Sequence, residues 1–391
     1  MKVRLGDVGQ IITGNTPKTS DVENYSSKDI AFIKPSDIQE DGLTILSGAG
    51  FYISEHAREK ARILNRGCIL VTCIGIVGKV AINSIECAFN QQINAIVPDA
   101  KKCDTKFIAY AIQNQQHRLQ DIANAAVVPI LNKTQFSNIE IPLPSLDEQR
   151  RIAAVLDKVS DLIVKRRAQL DKLDELVKAR FVEMFGDPYI NSMAWKKIKI
   201  KAAVTVEPQN GMYKPQSDYV TDGSGTPILR IDGFYDGIVT DFSSLKRLRC
   251  NDNEKQKYLL KENDIVINRV NSIEYLGKCA HITGLIEETV YESNMMRMHF
   301  DPVRFNPVYV THLLCSRFVY DQVINHAKKA VNQASINQKD VLDFDIYQPS
   351  IERQNVFADF VNRADQSKLT IQQSLDKLEI LKKALMQEYF G

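Results

Sequence analysis

The sequence is short of most features that announce a chemistry. Its 391 residues hold a single tryptophan, seven cysteines and six histidines. The cysteines, at positions 68, 73, 87, 103, 250, 279 and 315, are odd in number and include no Cys-x-x-Cys. That pattern fits neither a disulfide framework nor a zinc ribbon, so they read as reduced thiols, most of them filling core space. The histidines, at 56, 117, 281, 299, 312 and 326, show no His-Glu-x-x-His or mixed Cys/His spacing, and no metal site is expected. No stretch approaches the roughly 20 apolar residues of a membrane helix, and MKVRLGDVGQIITGNTPK lacks the apolar centre of a signal peptide. Neither membrane insertion nor secretion is expected, and the thiols fit a cytoplasmic protein. An excess of charge is missing too: 50 Lys and Arg against 48 Asp and Glu leave a net charge of +2, so any basic surface must come from local clustering.

Nucleotide and cofactor motifs are equally scarce. GIVGK at 75–79 has part of a phosphate loop but not its G-x-x-x-x-G-K-[ST] spacing, and Val80 stands where a magnesium-binding hydroxyl would be. It reads as a glycine turn between two strands. There is no G-x-S-x-G, no G-x-G-x-x-G and no Asx-Pro-Pro-aromatic methyltransferase tetrapeptide. Val97-Pro98-Asp99 with Lys101 and Lys102 lacks the further carboxylates of a nuclease site and reads as a solvated loop.

What the chain does have is a second copy of itself. A shift of 205 positions aligns residues 139–186 with 344–391 without a gap, with 15 of 48 residues identical, among them Pro144/Pro349, Ser145/Ser350, Gln149/Gln354 and Gly186/Gly391. The phrase LDKLDELVKARFVEMFG (170–186) returns as LDKLEILKKALMQEYFG (375–391). Upstream, LNKTQFSNIEI (131–141) faces INQKDVLDFDI (336–346), FIKPSDI (32–38) faces ILRIDGF (228–234), and GCILVTCIG (67–75) faces NDIVINRVN (263–271). The offset grows from 196 to 205 through short insertions, as in a tandem duplication of about 190 residues.

Each copy has a globular part and a helical part. The globular part carries short β-branched runs broken by Gly, Asn, Asp and Pro, together with helix-like patches such as KFIAYAIQNQQHRLQDIA, and is expected to be α+β. The helical part keeps a 4-3 spacing for about five heptads: Ile152, Leu156, Val159, Ile163, Arg166, Leu170, Leu173, Val177, Arg180 and Met184. Adding 205 gives Phe357, Val361, Ala364, Lys368, Ile371, Leu375, Leu378, Lys382, Leu385 and Tyr389. Both are coiled-coil seams with two polar interruptions each. Ser145-x-x-Glu148 predicts a capping box, Ser350 a cap without the box, and Gly186 and Gly391 left-handed stops.

The expected organisation is therefore a globular domain at 1–144, a helix at 145–186, a linker at 187–194, a second globular domain at 195–349 and a second helix at 350–391. The short linker argues that the second domain begins where the first helix ends. Two antiparallel helices between two pseudo-twofold-related α/β domains, a dumbbell, is the expected architecture.

Polar pairs at repeated positions differ in type while the apolar frame is kept: Lys34/Arg230, Ser36/Asp232, Thr72/Asn268, Lys79/Lys278 and Asn90/Asn294. Arg, Asn and Gln can bond base edges bidentately, and Lys and Thr suit phosphates. Any one of them is equally an ordinary turn residue; as a set they suggest nucleic-acid recognition.

The runs KVRLGDVGQIITGNTPK, IAFIKPSDI, GCILVTCIGIVGKVAI, LNKTQFSNIEIPLPSLDEQRRIAAVLD and RFVEMFGDP resemble the DNA-specificity (S) subunits of type I restriction-modification systems. The second copy departs from the pattern, since YQPSIERQNVF is degenerate and EPQNGMYKP lacks the Thr16-Pro17 step of the first. The resemblance implies a non-catalytic subunit whose two target-recognition domains each read one half of a bipartite double-stranded DNA sequence. It implies that the long helices act as a spacer and dock two methyltransferase (modification) subunits, with ATP-dependent restriction subunits joining them. S-adenosylmethionine, ATP and magnesium would reside on those partners and no cofactor on this chain. Under this reading the first domain contacts bases through Lys34, Ser36, Thr72, Asn90, Gln91 and Gln92, and the second through Arg230, Asp232, Asn268, Arg269 and Asn294. Lys18, Lys79, Lys214 and Lys278 would hold phosphates. Two other readings remain, a coiled-coil scaffold without a DNA role and a stand-alone DNA-modifying enzyme.

Overall fold

The computed structural model describes residues 2–124, 129–235, 237–239, 241–331 and 333–391. It divides into two units: residues 1–169 with 371–391, and residues 170–370.

In unit 1, strand Lys2–Arg4 pairs with Glu140–Pro142 and brings the start of the chain to the foot of the first long helix. A five-stranded sheet follows in the order Gly9–Thr13, Ile93–Pro98, Ile69–Thr72, Val80–Asn83, Leu43–Leu46. A four-stranded sheet runs Tyr52–Ile53, Ile30–Ile33, Cys87–Phe89, Ile63–Leu64. The run CILVTCIGIVGKVAI is apolar in both its strands, apart from Thr72 and Asn83 at their ends, because those strands are covered on both faces. Ile69, Val71, Val80 and Ile82 share a core with Phe107, Ile108 and Ile112 of helix Thr105–Asn114, while Leu70 and Ala81 point the other way to Ile33 and Phe89. Period-two alternation thus feeds two cores at once.

Unit 2 repeats the plan. Lys196–Lys199 pairs with Asp345–Gln348. A sheet ordered Val204–Asn210, Met295–Phe300, Ile265–Asn268, Cys279–His281, Gly237–Val239 matches the five-stranded sheet of unit 1 position by position and adds Phe234–Tyr235 at its edge. Even the parallel pairs recur: Leu43–Leu46 on Val80–Asn83 and Gly237–Val239 on Cys279–His281, Ile30–Ile33 on Cys87–Phe89 and Thr226–Leu229 on Val290–Tyr291. The duplication inferred from scattered identities is a duplication of topology. The expected glycine turn lies between Ile69–Thr72 and Val80–Asn83; Gly78 and its counterpart Gly277 both take positive φ (+89° and +76°), a conformation glycine adopts without strain.

The long helices are Leu146–Phe185 and Ile351–Phe390, each about 60 Å at ~1.5 Å per residue. They run antiparallel within each unit. In unit 1, Ile152 and Leu156 share a core with Met386 and Phe390, while Arg167, further along the first helix, pairs with Glu379, earlier on the second. In unit 2, Phe181 and Phe185 pack on Phe357, and Asp174 pairs with Lys368. All twenty seam positions are buried or half-buried.

The caps need one correction. Ser145 Oγ accepts the Glu148 N–H (3.4 Å), as does Ser350 Oγ for Arg353, but the Glu148 carboxylate pairs with Arg151 and does not turn back to close a box. Gly186 is left-handed (φ +77°), and the helix end is finished by the only tryptophan: Trp195 Nε1 donates to Phe185 O (2.9 Å). Arg353, where the capping glutamate was lost, donates from Nε to Met184 O (2.7 Å) and lies over the Trp195 ring. A guanidinium at the negative end of a helix dipole is favourable.

Candidate nucleic-acid interface

In each unit four loops meet at one end of the sheets, held by backbone bonds between segments distant in sequence. In unit 1, Gly14 N–H bonds Ile93 O, Asn15 N–H bonds Phe89 O, Asn90 N–H bonds Ile33 O, and Cys73 N–H bonds Gln92 O. In unit 2 the same frame is Gly211 to Met295, Met212 to Tyr291, Glu292 to Leu229, and Arg269 to Asn294. These bonds correct one equivalence read from the sequence. Asn90 corresponds to Glu292, and Asn294 to Gln92; identity of type had paired Asn90 with Asn294, two residues out of register.

The unit 1 loops carry Lys34, whose Nζ lies 3.1 Å from the Phe51 ring centroid, and exposed Ser36 and Gln91, with Gln91 Oε1 accepting from Thr16 Oγ1 (2.7 Å). Asn90 donates from Nδ2 to Gln92 Oε1 (2.9 Å) and accepts the Gln92 N–H (3.2 Å). Lys34, Asn90 and Gln92 line a cavity of about 470 Å³ with Thr16, Tyr25, Phe51 and Tyr52. Residue-type reasoning passes over those last four; the aromatic pair after the glycines of SGAGFY, exposed Phe51 and half-buried Tyr52, is the available signal.

Thr72 and Lys79 sit inside. Thr72 Oγ1 donates to Ile76 O (2.6 Å) and accepts the Lys79 N–H (3.0 Å), closing the glycine turn. The Lys79 ammonium donates to Ile38 O (2.9 Å) and Pro35 O (3.3 Å), fastening that turn to the Lys34 loop. Lys18 is exposed.

In unit 2, Arg230 Nε is buried without a hydrogen-bond partner, 3.7 Å from both Glu292 Oε2 and Asp232 Oδ1, and the guanidinium lies over Tyr219. Glu292 is buried and accepts the Ile231 N–H (2.7 Å); burial pushes its carboxyl above the ordinary value, opposed by that bond and by Arg230. Arg269 Nη1 donates to Ser293 O (3.0 Å). Asn268 is buried, with Nδ2 weakly donating to Tyr275 O (3.4 Å). Lys278 stands over the Tyr275 and Tyr235 rings at 4.2 and 5.3 Å. Lys214 is paired with Glu254 (2.9 Å), which holds its ammonium above the ordinary value. Asp232 is exposed and Asn294 half-buried. The aromatic Tyr213, at the position of Thr16 in the other unit, is 78% exposed.

Both faces are polar, partly aromatic and built on loops that a rigid sheet frame positions, a combination suited to reading an extended polar partner. Solved structures with a similar fold include a specificity subunit. The whole chain superposes on the S subunit of a type I restriction-modification system from M. genitalium with a TM-score of 0.61 at 14% identity, covering 100% of this chain and 96% of that one. A structure described under complex assembly and conformational transition of the type I R-M system gives 0.59 at 17% identity, covering 100% and 97%. Residues 1–173 match the Type I restriction modification DNA specificity domain. Among curated proteins, the type I restriction enzyme MjaIX specificity subunit of Methanocaldococcus jannaschii is 26% identical over 61% of this chain and 59% of its own length. The EcoKI specificity subunit of Escherichia coli is 24% identical over 93% of this chain and 80% of its own. Residues 1–173 thus carry the DNA specificity domain of type I restriction-modification systems, and the whole chain is similar to the specificity subunits of those systems. Among the described residues no helix is long and apolar enough to cross a membrane.

Proposed function

We propose that this chain is the non-catalytic, sequence-reading subunit of a cytoplasmic type I restriction-modification complex. Each unit reads one half of a bipartite double-stranded DNA target with its loop face, and the long helices seat two methyltransferase subunits. Restriction subunits complete the assembly, and S-adenosylmethionine, ATP and magnesium belong to those partners. The observation that carries the reading is two loop faces on one hydrogen-bond frame with different side chains: Lys34, Asn90 and Gln92 in one, Arg230, Glu292 and Asn294 in the other. An asymmetric two-part sequence requires such a pair of diverged readers.

The docking role rests on the helix surfaces. Val164 and Leu369, and Leu176 and Leu381, are related by the 205-residue shift, and all four are exposed (65, 61, 49 and 46%). Large apolar side chains kept in solvent at repeated positions support a partner-binding surface, and their repetition supports two copies of that partner.

The test is a domain exchange. Replacing residues 1–140 by the matching segment of another specificity subunit, and mapping methylated DNA positions in cells that supply the modification subunits, is expected to alter one half of the target and keep the other. A change in both halves, or in neither, would sink the proposal.

A further inference from the structure

One buried polar position is shared by the two reading faces and filled differently. Asn90 (7% exposed) bonds Ile33 O through its N–H and accepts the Ile93 N–H; Glu292 (8% exposed) bonds Leu229 O and accepts the Met295 N–H. The backbone frame is the same, and neither side chain can present more than an edge outward. Each is turned instead toward a more accessible neighbour. Asn90 Nδ2 holds Gln92 Oε1 at 2.9 Å, whereas Glu292 Oε2 lies 3.7 Å from Arg230 Nε.

Resting on the DNA-reading role proposed above, we infer that this buried residue is a positioning residue that selects the base reader in each unit: Asn90 orients Gln92 toward an adenine in one half-site, and Glu292 orients Arg230 toward a guanine in the other. With one Oε1 lone pair held by Asn90, Gln92 retains a second lone pair and both Nε2–H donors. That is the pattern complementary to adenine N6–H and N7 in the major groove. A free glutamine side chain loses rotamer entropy when fixed, and the Asn90 bond removes part of that loss before DNA arrives. The adjoining cavity is walled by Phe51 and Tyr52, an apolar surface suited to the methyl group of the thymine paired with that adenine.

In unit 2 the buried Glu292 carboxylate, with the exposed Asp232 carboxylate at the same 3.7 Å, stands beside Nε, so the Nη fork of Arg230, over the Tyr219 ring, is left for guanine O6 and N7. Glu292 is itself held, since its Oε1 accepts the Ile231 N–H. The reader changes place between the units for a chemical reason. Lys34, at the position of Arg230, is a compact ammonium lying over Phe51 and offers no fork. Asn294, at the position of Gln92, is one methylene shorter and reaches less far from the frame.

The experiment uses the full chain assembled with its modification subunits, selecting a randomised duplex library and sequencing the bound fraction. Gln92→Glu is expected to exchange adenine for cytosine at one position of the first half-site, and Arg230→Gln to exchange guanine for adenine at one position of the second. Asn90→Ala and Glu292→Gln should flatten preference at those same two positions by roughly 10-fold or more while preference at every other position is kept, a position-specific readout that a merely structural role would not give. Unaltered preferences, or a uniform loss of binding to every base, overturn the inference while the DNA-reading role stands. A wild-type complex that selects no two-part sequence overturns the role itself.

Discussion

Gln149 and Gln354 explain why a glutamine survives in both copies of a diverged repeat. Gln149 Oε1 accepts the Asp104 N–H while Nε2 donates to Lys102 O and Pro144 O; Gln354 does the same with Asn306, Arg304 and Pro349. Each fastens the first turn of a long helix to the capped start of a core helix, with every polar atom of the amide satisfied at near-zero exposure. His312 shows a residue whose environment sets a pH limit. Its ring packs against Phe357 (5.1 Å), and burial, reinforced by the Lys368 and Lys178 ammoniums, pulls it down to about 4 from the ordinary 6.5. The folded chain therefore holds the neutral ring, and below pH 6.5 the unfolded chain takes up a proton the folded one refuses. Stability is complete above 6.5 and falls as the pH drops toward 4. The unfolding midpoint is expected to decline between pH 7 and 5, and His312→Phe, which suits its aromatic neighbours, should flatten that decline when both proteins are followed by circular dichroism. An equal decline in both would refute the assignment.

At the scale of elements, the two lysines in the second seam behave oppositely. Burial alone would lower the Lys368 ammonium, but Asp174 (2.5 Å) and Asp365 (3.3 Å) hold it above its ordinary value. Lys382 is lowered by burial, with Arg167 adding to the effect, and among the described residues it makes no ion pair. Its counterpart in the first copy is Val177, which is buried. Lys382→Val is expected to stabilise unit 1 by about 1 kcal/mol, seen as a higher denaturant midpoint with unchanged slope. A lower midpoint would mean that the lysine has a partner role in the free chain. The 4-3 spacing was readable because it is periodic and local, and all twenty positions face inward as it demands. The second half of the capping box was not, because Arg151 offered Glu148 a stronger partner than an amide.

At the scale of the molecule, duplication should be visible in stoichiometry. Val164 and Leu381 belong to unit 1, Leu176 and Leu369 to unit 2. Val164→Glu with Leu381→Glu is expected to leave one methyltransferase subunit bound instead of two, and adding Leu176→Glu and Leu369→Glu to leave none, measured as complex mass in sedimentation. Two subunits retained by the fourfold variant would remove these surfaces from the docking role. DNA binding by the complex should also weaken steeply with salt, as phosphate contacts require.

The sequence by itself determined the duplication, the two helices and their seams. These are written in repeats, periodicity and caps, where each residue's role follows from neighbours a few positions away. The strand order, and the division of the polar loop residues into interior and surface, were decided only by the tertiary structure. Lys79 looked like a phosphate contact and lies against carbonyls of Pro35 and Ile38, over 40 residues earlier. Asn90 looked like the partner of Asn294 and shares its place with Glu292. Loop insertions move the register between copies, and a buried polar group is satisfied by whatever the fold brings beside it, which no local pattern encodes.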